Sequence, residues 1–365
     1  MGKDAYWVCR KCGFECRVRE AYLWRCPSCG SPLYIEFERE WKPGGYGVGR
    51  YKLMLPVEPV ISLGEASTPI VERRVMGARV YFKLEHLNPT GSFKDRGVVE
   101  ALSHSYKMGF RSVVEDSSGN TGISVAAYAS ALGVEALIVV PRSAPEGKKN
   151  LLKTLGARVI EAQDRGLAYK QALELSRKHA YIAHLWNPLF IEGVKTMAYE
   201  SFEQGFSGNF IITPVGSGTL MLGLYWGFKD LVEAGVLDHT PRVIAVQGAS
   251  LSPLYDKLCK TKPSCESMLA DGIMVPDPPR IDDLINALRE SRGSVHVVCN
   301  DDVVRGLKLL VKMGFIVEPT SAVSIAVLEE LVNDGVIGAG DTVLIPLTGS
   351  GLKMASELYK LVSQR

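Results

Sequence analysis

The chain has 365 residues, of which 46% are hydrophobic and 22% charged, the composition of an ordinary folded protein. Lysine and arginine number 42 against 40 aspartates and glutamates, and this near balance argues against a protein that binds nucleic acid or anionic membranes through its charge. The length exceeds the range of a single hydrophobic core, so we expect two domains and a small appendage. The start is polar and no long apolar run is uninterrupted, which predicts a cytoplasmic protein with no membrane partner.

Two pairs of closely spaced cysteines lie near the start of the chain. Cys9 and Cys12 form the first pair, Cys26 and Cys29 form the second, and a glycine follows each pair. This spacing allows four thiolates to hold one tetrahedral ion. It predicts a zinc ribbon over residues 1–35 with a structural Zn²⁺, and a ribbon that has lost its metal is the alternative. Three later cysteines have no regular spacing, and in a cytoplasmic protein we expect no disulfide framework among them. These are Cys259, Cys265 and Cys299.

From residue 61 onward, short apolar runs alternate with longer segments of helical period. Buried strands are predicted at residues 113–115, 135–140, 157–160, 209–215, 243–246 and 342–347. Helices are predicted at residues 121–132, 145–155, 167–178, 194–204, 220–234, 302–313 and 321–333. This alternation predicts an α/β fold with right-handed crossovers and mostly parallel sheets, in which ligands bind at the carboxyl ends of strands.

A lysine follows a turn whose sequence is Asn-Pro-Thr-Gly, at residues 88–91. We expect Ser92 to cap a helix that begins near Phe93, so that Lys94 lies in the first turn of that helix. The positive end of a helix disfavours a protonated amine, which helps a lysine to act as a nucleophile or base. An ordinary surface lysine is the alternative that this segment alone leaves open.

Three further turns follow predicted strands. The segment 117–122 offers hydroxyls, an amide and backbone N–H groups at a helix start, which suits a carboxylate. The segment 216–219 is rich in glycine and lets the backbone approach a small phosphate closely, but it has neither a Walker motif nor a complete dinucleotide fingerprint. The third turn, at residues 347–351, places hydroxyls after the last strand. An ordinary strand-to-helix turn is the alternative for each.

In this order, these elements resemble the fold-type-II pyridoxal-phosphate enzymes, among them threonine synthase, cysteine synthase, serine and threonine dehydratases and the tryptophan synthase β chain. The segments most similar to threonine synthase are residues 62–70, 88–97, 270–273, 318–331 and 347–353. The resemblance implies two three-layer α/β lobes with mostly parallel sheets, plus the small N-terminal zinc ribbon. It also implies a homodimer. The implied domains are a large cofactor domain at 36–97 and 203–365, and a small substrate domain at 98–202.

The roles of individual residues are implied by matching position to the family. Lys94 would bind pyridoxal 5′-phosphate covalently and move protons, Asn120 would contact the 3′-oxygen of the cofactor, and Thr348 would meet its pyridine nitrogen. The residues implied to hold the cofactor phosphate are Gly216, Ser217, Gly218 and Thr219. The residues implied to bind the substrate are Ser117, Ser118, Asn120 and Thr121. The resemblance favours threonine synthase, a lyase that converts O-phosphohomoserine to threonine and phosphate.

The substrate stays open because several positions depart from the family. The segment 216–219 lacks the usual asparagines, Ser350 replaces a common histidine, and the segment 117–122 is more similar to cysteine synthases. Threonine synthases commonly have an arginine at the position of Phe190, where it helps to bind the phosphate of the substrate, and its loss removes a bidentate contact. Four other cations are candidates to supply the charge, namely Arg142, Lys148, Lys149 and Lys195. The alternatives are a cysteine synthase acting on O-phosphoserine or O-acetylserine, or a serine or threonine dehydratase. A zinc-dependent binding protein that only keeps the fold is disfavoured by the joint presence of Lys94, Asn120 and Thr348. We expect His86 and His184 to be structural.

Overall fold

A computed structural model describes residues 4–363. Residues 1–3 and 364–365, which the predicted ribbon and large domain include, lie outside the described residues. The strands are β1 Tyr6–Val8, β2 Glu15–Arg17, β3 Tyr34–Glu36, β4 Ile70–Val75, β5 Ala78–Lys83, β6 Ser112–Glu115, β7 Glu135–Pro141, β8 Arg158–Ala162, β9 Ala180–Tyr181, β10 Phe210–Pro214, β11 Arg242–Gly248, β12 Ser294–Val298 and β13 Thr342–Pro346. The α-helices are α1 Lys94–Lys107, α2 Asn120–Ala131, α3 Glu146–Thr154, α4 Arg165–Leu175, α5 Pro188–Glu203, α6 Thr219–Glu233, α7 Pro253–Leu258, α8 Ile281–Glu290, α9 Asn300–Lys312, α10 Pro319–Asn333 and α11 Ala355–Ser363.

The chain divides into two compact units. Unit 1 comprises residues 4–67, Asn88–Thr90 and Lys94–Thr196. Unit 2 comprises Thr68–Leu87, Gly91–Phe93 and residues 197–363. The domain boundaries that the resemblance implies stay a prediction.

Unit 1 contains two sheets. The first is antiparallel and has the order β2-β1-β3, and the paired cysteines lie in the segments that connect its strands. The second is parallel and has the order β8-β7-β6-β9. Its central strand β7 is apolar and buried after its first residue, as expected for a parallel strand that is covered on both faces. Ala168 and Ala172 of α4 pack against this sheet, because their small side chains allow a close approach.

Unit 2 contains a six-stranded sheet in the order β12-β11-β10-β13-β5-β4. All neighbours are parallel except the edge strand β4, which pairs antiparallel with β5. Helix α10 packs in the core against this sheet and is buried over most of its length, which explains why its sequence is apolar on nearly every face. The predicted α/β class and the mostly parallel sheets are therefore confirmed, and the small N-terminal module predicted as a ribbon is an antiparallel sheet. None of the described helices combines the length and apolarity that a membrane crossing needs.

The start of helix α5 and the pairing of Cys265 with Cys299 differ from the predictions. Helix α5 begins at Pro188 and not at residue 194, because proline suits the first helical position and the side chain of Asn187 accepts the N–H of Leu189 at 3.0 Å. Cys265 and Cys299 form a disulfide, with their Cα atoms 5.8 Å apart. The fold brings this pair together where the N–H of Asn300 donates to the carbonyl of Glu266 at 2.8 Å, so regular spacing was no guide to it.

Candidate active site

Lys94 is the first residue of α1, which confirms that it lies in the first turn of a helix. The predicted capping role of Ser92 is wrong, since its buried hydroxyl has no hydrogen-bond partner among residues 4–363. The side chain of Asp95 stabilises the turn that precedes the helix. Its carboxylate accepts both the N–H of Thr90, at 2.8 Å, and the hydroxyl of Thr90.

Asp95 also connects the lysine turn to the next helix of unit 1. The hydroxyl of Ser124, in the second turn of α2, donates to Asp95 at 2.6 Å. Burial raises the pKa of this carboxyl to about 6, although the hydrogen bonds from Ser124 and Thr90 oppose the shift. The position of Lys94 is thereby tied to the helix that begins with the segment 117–122.

An aromatic ring lies beside the lysine. The Nζ of Lys94 is 5.7 Å from the ring centroid of Phe190, whose side chain is fully buried. The ring packs on Gly97 so closely that a Cβ there would come within 2.5 Å of it. At the position where the family commonly has an arginine, this chain therefore has a buried apolar surface.

Two of the four cations proposed to replace that arginine already have carboxylate partners. Lys149 pairs with Glu146 at 2.9 Å and with Glu161 at 3.2 Å. Lys195 pairs with Glu192 at 2.9 Å. Because these pairs offset the positive charges, neither lysine is a ready replacement for the guanidinium.

The loop predicted to bind the substrate carboxylate opens α2 in unit 1. Its backbone is so compact that a Cβ on Gly122 would lie 1.8 Å from the carbonyl oxygen of Ser117. The N–H groups of Thr121 and Gly122 donate to no acceptor within residues 4–363. N–H groups of this kind at the positive end of a helix suit a carboxylate. The structure thus places Ser117, Ser118, Asn120 and Thr121 in one loop, and their contacts with a substrate remain predictions.

The loop predicted to bind the cofactor phosphate opens α6 in unit 2. Gly218 adopts a left-handed conformation, with φ of 89°, directly before the first helical residue, Thr219. The hydroxyls of Ser217 and Thr219 are 3.3 Å apart and both side chains are buried. In the described chain, no protein acceptor meets the N–H groups of Gly216, Ser217, Gly218 or Thr219. Four such N–H groups at a helix start are the donors that a phosphate dianion requires, so these residues fit the phosphate of pyridoxal phosphate.

The third predicted element of the cofactor site, Thr348, also lies in unit 2. Its N–H donates to the hydroxyl of Ser321 at 2.9 Å, and the two hydroxyls are 3.0 Å apart. Its carbonyl accepts the N–H of Phe93 at 3.1 Å, and the next residue, Gly349, bridges to Ser92. The buried and unpartnered hydroxyl of Ser92 therefore belongs to this group, and it offers a further donor to a polar ligand.

Sequence reasoning missed a cluster at the carboxyl ends of β6 and β9. The Nδ1–H of His184 donates to Oε1 of the fully buried Glu115 at 2.6 Å. The hydroxyl of Tyr181 donates to the neighbouring carboxylate of Asp116 at 2.6 Å. Burial, and then the charge of Glu115, raise the pKa of Asp116 to about 6. A signal for the cluster was present, because Glu115 ends a predicted strand, Asp116 follows it, and ligands bind at the carboxyl ends of parallel strands.

The cysteine pairs of the N-terminal segment meet as predicted. The four Sγ atoms of Cys9, Cys12, Cys26 and Cys29 all lie within 4.8 Å of one another. The separations from Cys9 to Cys29 and from Cys12 to Cys26 are both 3.5 Å. Four thiolates at these distances fit one tetrahedral zinc ion and leave it no open position.

Comparison with known proteins identifies the family of this chain. The sequence pattern of the family described as pyridoxal-phosphate dependent enzyme matches residues 61–349. The chain is 30% identical to the threonine synthase of Methanocaldococcus jannaschii, over 94% of this chain and 92% of that protein. It is 33% identical to the threonine synthase of Synechocystis sp., over 83% and 82% of the two proteins.

Two solved structures share the fold. The processed threonine deaminase isoform 2 of Solanum lycopersicum matches with a TM-score of 0.68 and 24% identity, over 80% of this chain and 82% of that one. The serine racemase of Dictyostelium discoideum matches with a TM-score of 0.64 and 27% identity, over 78% and 92%. The chain therefore belongs to the fold-type-II pyridoxal-phosphate-dependent enzymes, within the threonine synthase family.

Proposed function

We propose that this chain is a threonine synthase, which converts O-phosphohomoserine and water to threonine and phosphate. The observation that carries the proposal is the position of Lys94 at the start of α1, tied through Asp95 to the helix that follows the substrate loop. The threonine synthases among its relatives, which match over most of both chains, support this choice of reaction.

We assign the roles as follows. Pyridoxal phosphate, when bound, withdraws electrons from the substrate and so lets carbon lose a proton. Lys94 removes and returns that proton, and the N–H groups of Thr121 and Gly122 hold the substrate carboxylate. The segment 216–219 holds the cofactor phosphate, and the hydroxyl of Thr348 meets the ring nitrogen without adding charge.

A second candidate is a β-elimination or β-replacement enzyme acting on serine, threonine, O-phosphoserine or O-acetylserine. The observation that favours it is Phe190, which offers a buried ring next to Lys94 where a substrate phosphate would need a cation. The carboxylate partners of Lys149 and Lys195 support it further, because they leave less free positive charge in unit 1.

The experiment that separates the two candidates compares substrates on the purified protein loaded with pyridoxal phosphate. Threonine synthase activity gives threonine and phosphate in equal amounts from O-phosphohomoserine. The second candidate gives cysteine from O-phosphoserine or O-acetylserine with sulfide, or 2-oxo acids from serine or threonine. Lys94→Ala is the control and must abolish each activity. If O-phosphohomoserine yields no threonine while another substrate turns over, the threonine synthase assignment is wrong.

We further propose that the four-cysteine cluster holds one structural Zn²⁺ and that the enzyme is a homodimer. The donor set supports the zinc assignment, and the family resemblance supports the dimer. Metal analysis that finds no zinc in the purified protein, or light scattering that gives the mass of one chain, would refute the corresponding proposal.

A further inference from the structure

The imidazole of His184 has one occupied nitrogen and one unoccupied nitrogen. A carboxylate can only accept, so the contact of 2.6 Å with Glu115 fixes the proton on Nδ1. In the part of the chain that the structure describes, Nε2 has no hydrogen-bond partner. We expected His184 to be a structural histidine with its hydrogen-bonding groups satisfied, and Nε2 departs from that expectation.

A second histidine, His296, has hydrogen-bond partners on both ring nitrogens. In unit 2, the Nδ1 of His296 is 3.0 Å from Glu330, and its Nε2 is 3.0 Å from the hydroxyl of Ser294. Both nitrogens of His296 are therefore occupied by protein groups. Each of the two histidines has a glutamate as the partner of its Nδ1. They differ in Nε2, which is hydrogen-bonded in His296 and available to a ligand in His184.

Glu115 supports a positive charge on the imidazole of His184. Its side chain is fully buried, and its second oxygen, Oε2, has no hydrogen-bond partner among residues 4–363. A buried carboxylate with so few donors is stabilised by a cationic neighbour. The other titratable groups of this cluster, Asp116 and Tyr181, hydrogen-bond to each other. Glu115 is thus placed to orient the imidazole and to stabilise the imidazolium that forms when Nε2 takes a proton.

Glu115 and His184 lie near the segments that we assign to the reaction. Glu115 lies two residues before Ser117, where the substrate loop of unit 1 begins. The ring of His184 contacts Phe190 edge-on, with the centroids 6.1 Å apart. The Nζ of Lys94 is 5.7 Å from the centroid of the same ring. The imidazole and the amine therefore both lie close to the ring of Phe190.

We propose that His184 is a further catalytic residue, which protonates the oxygen-linked group as it leaves the side chain of the substrate. The C–O bond breaks with its electron pair going to oxygen, while the electron pair of the neighbouring C–H bond, whose proton Lys94 takes, forms a carbon–carbon double bond. The protonated imidazole gives its Nε2 proton to the departing oxygen. The neutral Nε2 then accepts a proton from the water or thiol that adds to the substrate carbon. Glu115 is the positioning residue. The inference rests on the proposed function, and it applies to both candidates because each expels an oxygen-linked group.

The need for such an acid follows from the leaving groups themselves. A phosphate monoester that is doubly ionised would leave as a trianion unless a proton reaches its bridging oxygen. A hydroxyl group needs a proton even more, because hydroxide is a poor leaving group. Chloride is stable as an anion and leaves without a proton. The contribution of His184 should therefore depend on the leaving atom.

The test compares oxygen-linked and chlorine-linked substrates in the loaded enzyme. The pairs are O-phosphohomoserine with 2-amino-4-chlorobutanoate, and O-phosphoserine with β-chloroalanine. The variants are His184→Gln and Glu115→Gln, with His296→Gln as the matched control. We expect His184→Gln to lower kcat by about 10²–10⁴-fold for the oxygen-linked substrate and by less than about tenfold for its chlorine analogue. Glu115→Gln should follow the same pattern more weakly, and His296→Gln should change neither rate.

The outcomes separate the inference from the function on which it rests. Equal losses with both leaving groups would show that His184 only supports the fold, and an unchanged kcat would show that it has no role, so either result overturns the inference. Wild-type protein that turns over no substrate of either pair would refute the proposed function itself. Cofactor absorbance and melting temperature, measured for every variant, identify any variant that loses activity through misfolding.

Discussion

The tight turn at the start of α2 makes a specific prediction about Gly122. In Gly122→Ala, the new Cβ would lie 1.8 Å from the carbonyl oxygen of Ser117, whereas real Cβ atoms essentially never come closer than 3.0 Å. The carbonyl must therefore move by about 1.2 Å at least, and the substrate loop must move with it. Overpacking of this kind costs about 1–3 kcal/mol. The better helix propensity of alanine returns about 0.5–1 kcal/mol of this.

The functional effect should exceed the effect on stability. A displacement of about 1 Å in a substrate-positioning loop is expected to lower kcat/KM by about 100-fold. The assay measures product formation from the best substrate, normalised to bound cofactor, together with the free energy of unfolding in urea. The matched control is Gly147→Ala, in the first turn of α3, where a Cβ meets nothing within 4 Å. The control should keep its activity and gain a little stability. A Gly122→Ala enzyme with unchanged kcat/KM would refute the assignment of this loop to substrate binding.

Three further predictions concern stability and metal binding. Lys83→Met in unit 2 removes the buried cation that pairs with Glu200. The loss of this counter-charge beside a buried carboxylate should lower the free energy of unfolding by about 3–5 kcal/mol, as measured in urea. Burial lowers the pKa of His104 to about 4. As the pH falls, the imidazole of His104 is therefore protonated in the unfolded chain at a higher pH than in the folded chain. The wild type should therefore lose about 3 kcal/mol of stability as the pH falls from 6.5 to about 4, and a stability profile of His104→Gln with the same slope would contradict this. Cys12→Ser should reduce the zinc content, measured by metal analysis, from one ion per chain to a small fraction, and full retention would exclude a four-thiolate site.

The fold was predictable where hydrophobic pattern and length agreed. Strand β7 is a continuous apolar run between turn residues, and its predicted bounds differ from the observed ones by one residue. Strand β12 was missed, because it alternates apolar residues with serine and histidine and occurs directly after a helix that carries many charges. Pattern alone also gave α5 too late a start, since the proline that begins this helix was not read as its first residue.

The site was predictable where one continuous segment carries it. Lys94 and the two anion-binding loops each follow a local signal, namely a turn or a strand end with glycine and hydroxyl residues. Glu115 and His184 are 69 residues apart, and only the parallel pairing of β6 with β9 brings them together. The buried state of Phe190 was equally invisible, because it depends on the close packing of its ring on Gly97.

The most direct test of the account is to identify the residue that binds the cofactor. The purified protein is loaded with pyridoxal phosphate and reduced with borohydride, which makes a covalent bond between the cofactor and its lysine permanent. The peptides are then analysed by mass spectrometry. We predict a pyridoxyl group on Lys94 and none on the buried Lys83 of unit 2. A protein that is labelled on another lysine, or that takes up no cofactor, would contradict the account.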